Sequence, residues 1–336
     1  MDSSLKSVTL AATLVATLLG CTSHPASQAP NNQTPLHQTP TKFVAITQIV
    51  EHPALDATRD GVKAELAAAG FTEGKNLKLE WQSAQGSPTT ATQIANKFVG
   101  DKPDVIVAIA TPSAQAVVAI ARNIPIIFTA VTDPLGAKLV TNLDKPGGTV
   151  TGVSALTPID KHLDLIAKIT PKAKRIGVLY NAGEANSLTL LKLLKQEAPK
   201  RGMTLVEATV ARSSDVATAA RSLVGKADAI YIPTDNTVVS ALESVIQVGI
   251  ENKLPIYAGD SDSVKRGALA ALGYNYYEVG RQTGKIVLQV LNGEKPGNIP
   301  VESAKKNEFY LNLKSAQKMG VSISETVKAE ADRVIQ

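Results

Sequence analysis

Six short polar segments hold most of the side chains able to do chemistry, and each follows an apolar run. They are Gln48–His52, Thr111–Ser113, Val131–Pro134, Asn181–Asn186, Pro233–Asn236 and Gly259–Asp262. Thr111-Pro112-Ser113 has the character of a helix start, with Pro at a tolerated first-turn position. Free backbone N–H groups there suit a carboxylate. Asp133, Asp235 and Asp260 offer anions to an ammonium. Together the set suits a zwitterion, an α-amino acid. The competing reading is that these residues only cap helices and close turns.

Other chemistries are poorly supplied. The 336 residues include one Cys and four His, too few for a disulfide or a redox pair and unpromising for a histidine-built metal site. No metal or cofactor is expected. There is no G-x-S-x-G elbow and no G-x-x-x-x-G-K-[ST] phosphate loop. His52 and His162 stand alone and read as helix-surface residues. Lys+Arg of 35 against Asp+Glu of 30 is a small, scattered excess, so no nucleic-acid partner is expected.

The elements that must position these loops alternate between strand and helix. Apolar runs at 42–46, 104–109, 124–129, 175–180, 228–232 and 254–258 read as strands, several of them continuous as in a parallel sheet buried on both faces. Helical spacing falls between them, at 52–69, 89–99, 112–121, 186–200, 215–224 and 237–251. The order recurs in two halves: KPDVIVAIATPSAQA (102–116) parallels KADAIYIPTDNTVVSA (226–241), and NIPIIFTAVTDP parallels KLPIYAGDSDS. The expected fold is α/β, two doubly wound parallel-sheet lobes joined by a hinge. Residues 42–153 with about 273–293 form lobe 1, and 154–272 with about 300–336 form lobe 2. A glycine-rich stretch, 144–156, is the first crossover, and a terminal helix is expected at 324–334. In open α/β sheets ligands sit beyond the carboxyl ends of the strands, so the polar loops should converge between the lobes. Tyr274, Tyr276 and Tyr277 cluster at the return crossing, with Tyr180 and Phe128 at strand ends. They suit either stacking on a ligand or packing between lobes.

The N-terminus carries Lys6 and an apolar stretch from Val8 to Leu19, shorter than the about 20 residues of a spanning helix. It ends Leu18-Leu19-Gly20-Cys21, which resembles a bacterial lipobox and implies cleavage after residue 20 and a lipid on Cys21. Residues 21–41, rich in Pro, Thr, Asn and Gln, then read as a flexible tether. This places the body outside the cytoplasm, as a membrane-anchored lipoprotein in the periplasm or on the outer face of the cytoplasmic membrane.

Several body motifs, among them ITQIVEHPALDATRDGVKAEL, VAIATPSAQA, FTAVTDP, GVLYNAGEANS, AIYIPTDNTVVSALE and VKRGALAALGYNYYEVGRQTG, resemble the substrate-binding lipoproteins of ABC transporters assigned to tryptophan, tyrosine or aromatic amino acids. The resemblance runs from about residue 43 onward. It implies a type I periplasmic-binding-protein fold and a non-enzymatic, monomeric receptor that delivers L-Trp, L-Phe or L-Tyr to an ABC permease with its ATPase subunit. By position, the implied pocket includes Gln48, Thr111, Ser113, Asp133, Ser154, Asn181, Glu184, Asn186, Asp235, Asn236 and Asp260. One departure leaves the ligand open: Ala155 follows Ser154 where many relatives carry Asp. A sugar, a nucleoside or a branched-chain amino acid is the alternative ligand.

Overall fold

The structure, a computed structural model, describes residues 41–336; the signal segment, Cys21 and nearly all of the tether lie outside the described residues. The continuous apolar runs form the central strands. In the first lobe, Lys42–Gln48 (β1), Leu77–Ser83 (β2), Val105–Ile109 (β3), Ile126–Val131 (β4) and Val150–Ser154 (β5) pair in parallel. The helices between them are Pro53–Ala68 (α1), Pro88–Asp101 (α2) and Thr111–Ile120 (α3). Every residue of β3 is buried, as a parallel strand covered on both faces requires.

The chain crosses to the second lobe at 155–158. There the elements are Ile159–Ile169 (α4), Arg175–Asn181 (β6), Ala185–Glu197 (α5), Thr204–Val210 (β7), Val216–Ser222 (α6), Ala229–Ile232 (β8), Asn236–Ser240 (α7), Leu242–Asn252 (α8), Ile256–Ala258 (β9), Ser261–Lys265 (α9) and Ala270–Tyr274 (β10). It returns through Asn275 to Tyr276–Leu291 (α10), which packs on the first sheet, and to Glu302–Ser303 (β11), which pairs with β5. A third crossing leads to Asn307–Asn312 (β12), Leu313–Lys318 (α11), Glu325–Glu330 (α12) and Arg333–Ile335 (β13). The sheet orders are β11-β5-β4-β3-β1-β2 and β13-β12-β10-β9-β8-β6-β7, with β10–β12 the antiparallel pair. Each sheet carries its own core, around Phe98 and Phe128 in one lobe and around Leu163, Tyr231 and Tyr257 in the other.

Three expectations need correction. Part of the glycine-rich stretch is not a free crossover, because Val150–Ser154 is a strand of the first sheet. The first lobe extends through Ser303 rather than ending near 293, because β11 hydrogen-bonds to β5. The terminal helix stops at Glu330; Asp332 accepts a hydrogen bond from the Phe309 N–H at 2.8 Å, and the β-branched Val334-Ile335 pair continues as strand.

One helix contact fixes the geometry of the first lobe beside the cleft. Helices α1 and α10 touch at Gly61 and Gly280. A Cβ on Gly61 would lie 2.1 Å from the Tyr277 carbonyl oxygen, and one on Gly280 2.1 Å from that of Thr58. Only glycine admits this approach, which brings the first turns of both helices to the same wall.

Candidate functional site

The carboxyl ends of the strands of both lobes meet around a narrow cavity. The first lobe supplies His52, Ala54 and Leu55 from the start of α1, Thr111 from α3, Ala130 and Thr132 after the body of β4, and Tyr276 from α10; Ala155 lies where the chain crosses over. The second supplies Asn186, Thr234, Asp235, Asn236, Val239 and Asp260. Backbone bends aim two of these loops. Ala110, just before α3, and Ala130, inside a β-bulge of β4, have φ of 73° and 54°, a conformation costly for a residue with a Cβ.

Charge is divided between the lobes. Both cavity carboxylates belong to the second. Asp235 caps α7: its oxygens accept from Val238 N–H at 2.8 Å, Asn181 N–H at 2.6 Å and the Ser187 hydroxyl at 2.6 Å. Asp260 caps α9, accepting from the Ser263 N–H at 2.8 Å and its hydroxyl at 2.6 Å. Both are buried, and neither has an ion-pair partner among the described residues. Burial and the nearby Glu184 push the Asp235 carboxyl up to about 7, and burial raises Asp260 as well. Capping and facing the cavity are therefore compatible roles. The first lobe offers the opposite polarity, the N-terminus of α3, which has no side-chain cap.

Several polar atoms have no partner within the protein. Thr111 Oγ1, His52 Nδ1, Asn186 Oδ1 and Thr234 Oγ1 are buried without a hydrogen bond, and all four residues line the cavity. Buried polar atoms are rarely left unpaired. Four of the eight such atoms among the described residues surround this one space, where a ligand's polar groups have partners to meet.

Of the expected site residues, Thr111, Asn186, Asp235, Asn236 and Asp260 line this cavity. Glu184 lies one layer behind. It is buried and holds the wall in place, accepting from Asn186 Nδ2 at 3.0 Å, from Asn236 N–H and Nδ2 at 3.1 and 2.5 Å, and from Thr237 N–H and Oγ1 at 3.0 and 2.8 Å. Five others do not line it either. Gln48 turns into a network with Asp56, Arg59 and Trp81. Ser113 is buried within α3. Asp133 accepts from the Gly136 N–H at 2.9 Å across a turn and is not among the residues lining the cavity. Ser154 donates to the Glu302 carbonyl within the first sheet. Asn181, bonded to Thr237, lines a wider opening beside the cavity.

Sequence reasoning missed His52, Thr132 and Thr234. All three stand in strand-end loops already singled out. His52 and His162 are not helix-surface residues: both are buried. His162 bridges the Tyr231 hydroxyl and the Leu272 carbonyl, at 2.6 Å each, inside the second lobe. Among the tyrosines of the return crossing, Tyr276 lines the cavity, Tyr274 donates to the Leu156 carbonyl at 2.8 Å and braces the crossover, and Tyr277 is exposed.

Comparison with known proteins agrees with this geometry. The family described as ABC transporter substrate binding protein matches residues 43–335. A tyrosine-binding protein of Clostridioides difficile is 44% identical over 298 residues, 89% of this chain and 86% of its own. A Streptococcus pneumoniae ABC domain in complex with L-Trp superposes with a TM-score of 0.85 at 35% identity, covering 88% of this chain and all of that one. The ligand-free, open structure of a Clostridium difficile substrate-binding protein with adhesive properties is more alike in sequence, at 42%, over the same shares. Yet its TM-score is 0.66. The chain therefore superposes better on the L-Trp complex than on the ligand-free, open structure. The chain belongs to the ABC transporter substrate-binding proteins and is the extracytoplasmic component that binds the transported solute.

Proposed function

We propose that the solute is an aromatic L-amino acid, held between the lobes with its carboxylate toward the first and its ammonium toward the second. The observation that carries this reading is the cavity's divided polarity: a helix start with the unpartnered Thr111 hydroxyl on one side, and two buried carboxylates without a cation on the other. Ala54, Leu55, Val239 and Tyr276 supply an apolar wall for the side chain. The small Ala155 at the crossover adds no charge, so the ammonium depends on Asp235 and Asp260. The tyrosine-binding and L-Trp-bound relatives support the same class of ligand. The receptor is a monomer held to the membrane by lipid on Cys21 and the tether up to residue 41. It hands its solute to an ABC permease driven by an ATPase subunit, and it catalyses no reaction.

A thermal-shift screen of the full chain against the amino acids and common sugars tests this. A ligand present at 100 times its dissociation constant adds about 2.7 kcal/mol to stability. Stabilisation by at least one of L-Trp, L-Tyr and L-Phe is expected; stabilisation by a sugar and by none of the three would sink the proposal.

A further inference from the structure

We propose that Asn186 is a specificity residue that restricts the solute to a primary ammonium: its side-chain oxygen accepts the third N–H, beside Asp235 and Asp260, and an N-alkylated amine leaves that oxygen unpaired. This rests on the reading of the solute as an aromatic amino acid whose ammonium faces the second lobe.

Hydrogen bonds fix which end of the Asn186 amide is free. Its Nδ2 donates to the Thr234 carbonyl at 3.0 Å and to Glu184 Oε2 at 3.0 Å, with the Ser187 hydroxyl oxygen at 3.4 Å. A backbone carbonyl only accepts, so the nitrogen end of the amide must lie on that side. Its two protons are taken by Thr234 and Glu184. The oxygen is what remains. Asn186 is 3% exposed on the cavity wall, and its Oδ1 is buried with no partner.

The same contacts gather three acceptors. Thr234, whose carbonyl holds Asn186, directly precedes Asp235, and the Ser187 hydroxyl donates to Asp235 Oδ2 at 2.6 Å. Thr234 also packs on the loop that carries Asp260: a Cβ on Gly259 would lie 3.1 Å from the Thr234 nitrogen. Backbone donors that could oppose a cation here are already engaged. The N–H groups of Asn236 and Thr237 go to Glu184, and those of Asn181 and Val238 to Asp235. The Thr234 hydroxyl on the same wall rotates to donate or accept, so it discriminates nothing.

Two carboxylates by themselves ask for only two N–H donors, which a secondary ammonium supplies as well as a primary one. The amide oxygen makes the third proton matter, because a buried acceptor left unpaired costs its full desolvation penalty. An ammonium with three N–H groups satisfies all three acceptors at once.

Titration calorimetry on the full chain tests this. It compares whichever of L-Trp, L-Tyr and L-Phe binds tightest with its N-methyl derivative, which keeps the charge and loses one N–H. The wild type should favour the primary amine by at least about tenfold. Asn186→Leu and Asn186→Val keep most of the bulk without an acceptor. In either, the ratio should fall to within about threefold, because the primary amine loses a partner and the methyl group meets an apolar side chain. A ratio unchanged in the variants would mean that the methyl group is excluded by size alone, and overturns the proposal. So does a wild type that binds both amines equally, whether or not the variants fold. If none of the three amino acids binds the wild type, the ligand class fails and the proposal falls with it.

Discussion

Asp235→Asn isolates the charge on which the proposed amino-acid recognition depends. The carboxylate is fully buried, faces the cavity and has no cation among the described residues. Removing one partner of a buried ion pair costs about 3–5 kcal/mol. Here Asp260 remains as a second anion, so the expected loss is about 2–3 kcal/mol, roughly 30- to 150-fold in L-Trp affinity. The substitution also disturbs the fold locally, because backbone N–H groups of Asn181 and Val238 both point at the carboxylate and an amide cannot accept equally from its two ends. A ligand lacking the ammonium separates these effects. Indole-3-propionate keeps the ring and the carboxylate of L-Trp, so calorimetry of both ligands on both proteins closes a double-difference cycle. The wild type should prefer L-Trp, and Asp235→Asn should lose most of that preference. Equal weakening of both ligands would show that Asp235 only shapes the pocket and would refute the reasoning. The pH dependence gives an independent check. Burial and Glu184 raise the Asp235 carboxyl to about 7 before the ammonium arrives. The ammonium favours the ionised form, so below pH 7 binding must expel a proton. Affinity should therefore fall with decreasing pH, by up to about tenfold per unit for one proton, and flatten above 7. In Asp235→Asn the slope should largely disappear.

Other substitutions probe the remaining assignments. Asp133→Ala should leave L-Trp affinity within about twofold, since Asp133 only closes its turn; a tenfold loss by calorimetry would return it to the site. Gly280→Ala forces a Cβ to within 2.1 Å of the Thr58 carbonyl. It should destabilise the protein by about 1–3 kcal/mol in a thermal melt, and an unchanged midpoint would show that the α1–α10 approach is not needed. Cys21→Ser should move the protein from the membrane to the soluble fraction and abolish incorporation of labelled fatty acid; retention of both would exclude that anchor.

The fold was legible because parallel strands buried on both faces leave continuous apolar runs, such as VIVAI at 105–109, and each run ends where a polar loop begins. The same logic found Thr111, Asn186, Asp235, Asn236 and Asp260. It failed where a residue's direction rather than its position decides its role. Asp133 and Asp235 both follow a strand of their lobe, but Asp133 folds back onto Gly136 while Asp235 turns inward to cap α7. Gln48 ends β1 at the cleft, yet a cluster of Arg59, Trp81 and Asp56 draws it away. His52 was passed over because it has no histidine or cysteine partner in the sequence. It lines the same cavity as Asn236, 184 positions later on the other lobe, and no local pattern encodes a site assembled from both lobes.

The placement of unpaired groups also explains how such a receptor couples capture to closure. With the lobes together, Asp235 and Asp260 lose water without gaining a cation, and Thr111, Asn186 and His52 hold polar atoms without partners. Each costs free energy while the lobes are together, and water would offset that cost if they parted. A zwitterion placed between them satisfies groups on both sides at once, so it stabilises the closed state far more than the open one. That difference in affinity is the only free energy available to shift the two-state equilibrium, and a shift from 1:99 to 99:1 needs about 5.5 kcal/mol. Buried carboxylates without resident cations therefore serve the receptor better than a preformed ion pair. A lysine in the cavity would stabilise the closed form with no ligand present and erase the signal that the transporter reads.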